Sequence, residues 1–122
     1  MTKTYGPYSS YQIVGDLVFT AGQIGAKDGL APKDIQSQTK LALENLGNVL
    51  SDAGASFSTV VKITVYLTDM AHFDEMNIAY GNVFETAGSR PARSTVAVKE
   101  LPRVADNPLL VEVEAVAYKE VA

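Results

Sequence analysis

The chain has no cysteine and only one histidine among its 122 residues. Without cysteine it can form no disulfide, no thiolate metal site and no cysteine nucleophile. A single histidine, His72, disfavours catalytic triads and metal sites that need two histidines. We therefore expect no bound metal.

The chain also lacks a cluster of basic residues and a long apolar run. Its formal net charge is −4 and its isoelectric point is about 4.8, which argues against a nucleic-acid partner. No stretch reaches the length of a membrane span, and the polar first residues lack the apolar centre of a signal peptide. The sequence thus predicts one cytoplasmic domain over residues 1–122, with no membrane association.

Turn residues and apolar periodicity divide the chain into seven predicted elements. The predicted strands are residues 11–14, 17–23, 60–68, 93–99 and 109–118, and the predicted helices are residues 32–53 and 71–86. Gly15 and Asp16 form the first turn, and Gly54 and Gly88 end the helices. The order β-β-α-β-α-β-β predicts an α+β fold, with two helices packed on one face of a mixed sheet.

Both predicted helices and the strands 60–68 and 109–118 carry a clear apolar stripe, which defines the predicted core. Its members are Ile35, Ala42, Leu46, Val49, Leu50 and Ala53 in the first helix, Phe73, Met76, Tyr80, Phe84 and Ala87 in the second, Val61, Ile63, Val65 and Leu67 in the middle strand, and Val111, Val113, Ala115 and Ala117 in the last. Two helices can cover only one face of the sheet. The opposite face is predicted to present Phe19, Lys62, Thr64, Tyr66, Thr95, Ala97, Glu112 and Glu114. A half-apolar face of this kind is typical of an oligomer interface or a ligand surface.

Charged residues in the last two predicted strands indicate a binding site. Arg93 begins one strand, while Glu112 and Glu114 occupy alternate positions in the next and so share a face. A guanidinium group can grip a carboxylate with two hydrogen bonds, and a nearby carboxylate can take a proton from water. The pattern is consistent with a site for a small carboxylate. Taken alone, it is more often the pattern of a surface or ion-paired arginine and a solvated strand face.

Several short motifs, in order along the whole chain, resemble those of the Rid (YjgF) family of enamine and imine deaminases. The motifs are Gly6-Pro7-Tyr8, Ala21-Gly22-Gln23-Ile24, Val60-Val61-Lys62, Asn77-Ile78-Ala79-Tyr80, Arg90-Pro91-Ala92-Arg93-Ser94, Leu101-Pro102 and Val111-Glu112-Val113-Glu114-Ala115. The resemblance implies a chorismate-mutase-like fold and a homotrimer with its sites in clefts between subunits. It also implies that the uncovered sheet face is a subunit interface.

The same resemblance implies roles for individual residues. Arg93 would bind the substrate carboxylate beside the backbone N–H of Gly22, and Glu112 would activate or position water. Tyr8 and Asn77 would line the cleft, with Tyr8 coming from a neighbouring subunit in one arrangement.

Three features depart from the family pattern. Ala21 stands where the family often has a water-binding serine, and Thr95 stands where it often has cysteine. Both positions belong to the implied substrate-binding set. The loop 103–108 is longer than in common members.

The resemblance implies hydrolysis of 2-imino acids, derived from 2-aminoacrylate, to 2-oxo acids and ammonia. An imine carbon is already electrophilic, so we expect no cofactor. Two alternatives remain open at the level of sequence. One is a regulatory protein that binds small carboxylates without turnover, and the other is an endoribonuclease or translation inhibitor, which the acidic composition disfavours.

Overall fold

The computed structural model describes residues 4–120 and contains six strands and two α-helices in that range. The elements are β1 (Tyr11–Val14), β2 (Leu17–Thr20), β3 (Gln23–Ile24), α1 (Ile35–Asp52), β4 (Val60–Leu67), α2 (Phe73–Ala87), β5 (Ala92–Ala97) and β6 (Val111–Tyr118). Short 3₁₀ turns precede β4 and α2. The predicted α+β order is confirmed, with one short strand added. Neither helix in the described range combines the length and the apolar character that a membrane-spanning helix needs.

All the strands belong to one mixed sheet. The order across the sheet is β1-β2-β6-β4-β5, and β3 pairs with another part of β6. Only the β4–β5 pair is parallel. Parallel neighbours need a crossover connection, and α2 provides it. Both helices pack on the same face of the sheet, as predicted.

The first helix begins three residues later than its sequence predicts. Asp34 has extended backbone angles, and its carboxylate accepts a hydrogen bond from the Ser37 backbone N–H at 2.9 Å. This side-chain cap satisfies a free N–H of the first turn, so the helix starts after Asp34 and not at Pro32. At the other end, Gly54 adopts a φ of +81°, a left-handed conformation that glycine reaches without strain.

The core lies between the helices and the sheet. Its fully buried members include the predicted residues of α1, the alternate residues of β6, and Ile63, Val65 and Leu67 of β4. The prediction for Val61 was wrong, because a β-bulge between Val60 and Lys62 shifts the register. Val60 therefore points into the core, and Val61 is 44% exposed.

The predicted strand 17–23 is interrupted at Ala21 and Gly22. The Thr20 hydroxyl accepts a hydrogen bond from the Ala115 backbone N–H at 3.0 Å, which replaces a backbone pairing at this point. The chain then rejoins β6 as β3, where Gln23 lies opposite Val113. This break places the backbone of Ala21 and Gly22 beside Glu112.

The prediction for the uncovered face needs two corrections. The β4–β5 register pairs Val65 with Thr95 and Leu67 with Ala97, so Thr95 and Ala97 share the helix-covered face. Both were expected on the opposite side. A strand at the sheet edge has no buried stripe of its own to reveal its orientation, and its parallel register decides it. The uncovered face in fact presents Phe19, Lys62, Thr64, Tyr66, Ser94, Val96, Glu112 and Glu114.

Candidate active site

Glu112 lies on the uncovered face of β6, half-buried against the strand break. A side-chain carbon at Gly22 would force the Glu112 carboxylate to shift, so glycine lets the two lie this close together. Burial raises the pKa of Glu112, and the neighbouring Glu114 charge raises it further. A carboxylate with a raised pKa is suited to both taking and giving a proton.

A cleft of about 810 Å³ opens beside this carboxylate. Four residues that the sequence assigned to the site line it together, namely Tyr8, Ala21, Gly22 and Glu112. Side chains of α1 and of the two loops near β3 and β6 complete the walls. Those contributing residues include Ile24, Ala26, Lys27, Asn45, Asn48, Pro102 and Val104. The sequence analysis did not assign them to the site, because most of them come from loops and from the polar flank of a helix.

Glu114 shares the face of Glu112 but has a different environment. The Tyr66 hydroxyl donates a hydrogen bond to the Glu114 carboxylate at 2.7 Å. This hydrogen bond, together with burial, raises the pKa of Tyr66 to about 12. Glu114 is thus held by a neighbouring strand, whereas no hydrogen bond engages the Glu112 carboxylate within the described part of the chain. Alternation along the strand could not separate the two glutamates, and their contacts do.

Arg93 lies on the other face of the sheet, opposite Ile63 and toward α2. Its guanidinium carbon is 4.7 Å from the centre of the Tyr80 ring and 5.6 Å from that of Phe73. Stacking on aromatic faces holds a guanidinium in place without using its N–H donors. Within residues 4–120 no carboxylate forms an ion pair with Arg93.

Three buried polar atoms without hydrogen-bond partners in the described range occur around Arg93. They are Oδ1 of Asn77, the hydroxyl of Tyr80 and Oγ1 of Thr95. Asn77 and Tyr80 are one turn apart on α2, and Thr95 follows Arg93 on the same face of β5. Burial also raises the pKa of Tyr80 to about 12. Unpartnered buried polar groups are uncommon in folded proteins and often mark sites of function.

The seven predicted site residues therefore divide into two groups. The first is the Glu112 half-site, which consists of Tyr8, Ala21, Gly22 and Glu112. The second is the Arg93 half-site, which consists of Asn77, Arg93 and Thr95. Tyr80 belongs to it as well, although the sequence indicated only a core role for this residue. The Arg93 and Glu112 side chains project from opposite faces of the sheet, on strands separated by β4. The cleft that Glu112 lines contains no residue of the Arg93 half-site within one protomer.

Comparison with known proteins identifies the family to which the chain belongs. A family model described as endoribonuclease L-PSP matches residues 1–119. The chain belongs to the Rid (YjgF) family. The resemblance seen in the sequence motifs is thereby confirmed, and the family includes proteins named as reactive intermediate deaminases.

The Rid-family relatives are similar along nearly the whole chain. A RutC family protein of Pyrococcus abyssi is 46% identical in an alignment of 121 residues that covers 97% of this chain and 91% of that protein. TdcF of Escherichia coli K12, whose name assigns it provisionally to the reactive intermediate deaminases, is 37% identical, covering 93% of this chain and 88% of TdcF. The crystal structure of E. coli TdcF with bound serine has a TM-score of 0.89 at 34% identity, covering 98% of this chain and 93% of that one.

The environment of Glu112 leads to a prediction about its ionisation. Because its pKa is raised, Glu112 stays protonated to a higher pH than an ordinary glutamate, and any rate that needs its carboxylate rises with pH through that pKa. Glu114→Gln removes the neighbouring charge and should lower the pKa of Glu112. An NMR titration of the side-chain carboxyl carbons measures the pKa of Glu112 in the parent and in Glu114→Gln. Tyr66→Phe is the control, since it keeps both charges and should leave the pKa of Glu112 raised. An unchanged Glu112 pKa in Glu114→Gln would contradict the prediction.

Proposed function

We propose that the protein is an enamine/imine deaminase that hydrolyses 2-imino acids, derived from 2-aminoacrylate, to 2-oxo acids and ammonia. The observation that carries this proposal is the Glu112 carboxylate, half-buried against Gly22 at the wall of a cleft and with a raised pKa. A base of this kind can move the protons that hydrolysis requires. The kinship with TdcF, which is named as a reactive intermediate deaminase, supports the same reaction class.

The proposed active site is shared between subunits of a homotrimer. The Arg93 half-site of one subunit would meet the Glu112 half-site of the next, which resolves their separation on opposite faces of one protomer. Exposed apolar side chains on the uncovered face support such an assembly, and among them Phe19 and Val96 are each 43% exposed. A ring of three identical subunits would contain three equivalent sites.

Substrate binding in this site would depend on Arg93. Its guanidinium group, stacked on Tyr80, presents two N–H donors to the carboxylate of the imino acid. The bound carboxylate fixes the imine carbon near Glu112 and its water. Ala21 has no hydroxyl that could bind this water. The Glu112 carboxylate and the backbone beside Gly22 would therefore orient the water.

Hydrolysis would proceed through a tetrahedral intermediate. Water adds to the carbon of the protonated imine while Glu112 accepts one proton, and the product is a neutral carbinolamine. Glu112 then gives that proton to the amine nitrogen, and the carbinol O–H loses its proton to solvent as the C=O bond forms. The C–N bond breaks and releases ammonia, which leaves the 2-oxo acid. The imine carbon is electrophilic enough for this addition without further activation.

The test of this function generates 2-aminoacrylate in the assay. A serine or threonine dehydratase supplies the enamine, and release of the 2-oxo acid is followed with and without the protein. The proposal predicts faster release in proportion to the protein concentration. No acceleration at any concentration would contradict it. If 2-oxobutanoate still bound in that case, carboxylate binding without turnover would be the better description.

The assembly has its own prediction. Light scattering on the protein at micromolar concentration should give a mass three times that of the 13.0 kDa chain. Phe19→Lys, which places a charge on the uncovered face, should shift the mass toward the monomer. A parent protein that remains monomeric would overturn the shared site.

A further inference from the structure

The loop between β5 and β6 forms one wall of the Glu112 cleft. Pro102 and Val104 line the cleft from this loop, and Ile24 and Ala26 line it from the segment around β3. Val104 also packs against a small apolar cluster, separate from the main core, that contains Ile24, Ala26 and Leu109. This wall is apolar, whereas the α1 side of the cleft carries amides, including those of Asn45 and Asn48.

Hydrogen bonds fix the middle of the loop to the turn before α1. The Asp106 carboxylate accepts from the Ala31 backbone N–H at 2.8 Å, and the Asp106 backbone N–H donates to the Gly29 carbonyl at 2.9 Å. The Asn107 side chain donates to the Ala31 carbonyl at 2.7 Å. Hydrogen bonds from both backbone and side-chain atoms therefore hold the loop against the turn before α1.

The end of the loop is fixed by Gln38, whose side chain is completely buried. Its amide nitrogen donates to the carbonyls of Pro32 and Pro108 at 2.8 and 2.9 Å, and its oxygen accepts from the Leu110 backbone N–H at 2.7 Å. A side-chain carbon at Gly25 would collide with the Gln38 backbone, so the neighbouring chain lies close as well. The apolar wall is thus ordered before any ligand binds, and no loop ordering would be needed on binding.

We propose that Val104 is a specificity-determining residue that contacts the substrate side chain and favours 2-imino acids with aliphatic side chains longer than methyl. This inference rests on the proposed deaminase function. The cleft volume is in the range of sites that hold ligands much larger than a three-carbon acid, so it has room for such a side chain. A pre-ordered apolar wall beside the reacting carbon stabilises each added methylene of the substrate.

The experiment compares kcat/KM for 2-iminopropanoate with that for the imino acid of leucine, generated by an amino-acid oxidase. The parent protein should prefer the longer substrate. Val104→Thr keeps the shape of the side chain but places a hydroxyl on the wall, and it should lower kcat/KM for the longer substrate by about fivefold. Val104→Phe fills the subsite and should lower it by at least about tenfold. Both variants should lose several-fold less on 2-iminopropanoate, whose methyl group is too short to depend on the apolar wall.

Arg103→Ala is the matched control, because Arg103 neighbours Val104 but is 86% exposed and pairs with Glu100. It should leave both substrates unaffected. Equal losses on both substrates in the Val104 variants, or no loss on either, would overturn the proposal. A parent preference for an imino acid with a carboxylate side chain would also overturn it and would point to Lys27 on the same cleft. If the parent protein hydrolyses 2-iminopropanoate, the deaminase function holds, and the outcomes above then test only the role of Val104.

Discussion

Glu112→Gln is expected to lower kcat for imine hydrolysis by on the order of a hundredfold or more. Glutamine keeps the shape of the side chain and much of its hydrogen bonding, but it cannot accept the proton of the attacking water. The half-buried position against Gly22 makes replacement by a bulk-water base inefficient. Steady-state kinetics with dehydratase-generated imine measure the effect. Binding of a carboxylate such as 2-oxobutanoate should change little, since the proposed carboxylate contact is Arg93.

The matched variant for Glu112→Gln is Glu114→Gln. Glu114 shares the face of Glu112, but its carboxylate is engaged by the Tyr66 hydroxyl. We expect Glu114→Gln to remain within a few-fold of the parent at the pH optimum of each protein, with the oligomer mass checked for both. An inactive Glu114→Gln variant, or a fully active Glu112→Gln variant, would contradict the assignment of Glu112 as the catalytic base.

Arg93→Ala is expected to weaken the binding of 2-oxobutanoate at least about tenfold. Each charge-assisted hydrogen bond contributes roughly 1.5–3 kcal/mol, and alanine removes both N–H donors of the proposed pair. Arg93→Lys should also weaken binding, because an ammonium group cannot reproduce the planar fork that stacks on Tyr80. Isothermal titration calorimetry measures the affinities.

Arg90 supplies the control for Arg93. It carries the same charge three residues earlier, but its side chain is exposed. Arg90→Ala should keep the affinity of the parent, since a solvated cation near the site contributes mainly a screened long-range field. If Arg93→Ala bound as tightly as the parent, the carboxylate site would have to lie elsewhere.

The sequence predicted the main elements of the fold because their apolar periods are regular. The stripe from Ile35 to Leu50 and the alternation of Val111, Val113 and Ala115 are both buried as expected. Local deviations were beyond such patterns. The bulge that exposes Val61 depends on register with β6, and the late start of α1 depends on a cap by Asp34. Each of these two deviations depends on a local hydrogen bond. The apolar pattern of the sequence would be the same with or without that bond.

The residues of the candidate site could be predicted only in part. Motif resemblance pointed to Arg93 and Glu112, but it did not place them on opposite faces of one protomer. That separation depends on the parallel register of β5, an edge strand with no buried stripe to reveal its orientation. The contribution of Tyr80 was hidden because an aromatic residue on an apolar helix stripe is typical of a core. Val104 lies in a loop, where no periodic pattern indicates what a side chain faces.

Complementation between two impaired variants, assayed at a substrate concentration well below KM, tests the shared active site most directly. Arg93→Ala and Glu112→Gln are mixed in equal amounts, dissociated and reassembled together, and native mass spectrometry confirms mixed trimers. Random assembly leaves about a quarter of the subunit interfaces with both Arg93 and Glu112 intact, so about a quarter of the parent activity should return. Activity that stays at the level of the separate variants, although mixed trimers are present, would contradict a site built from two subunits.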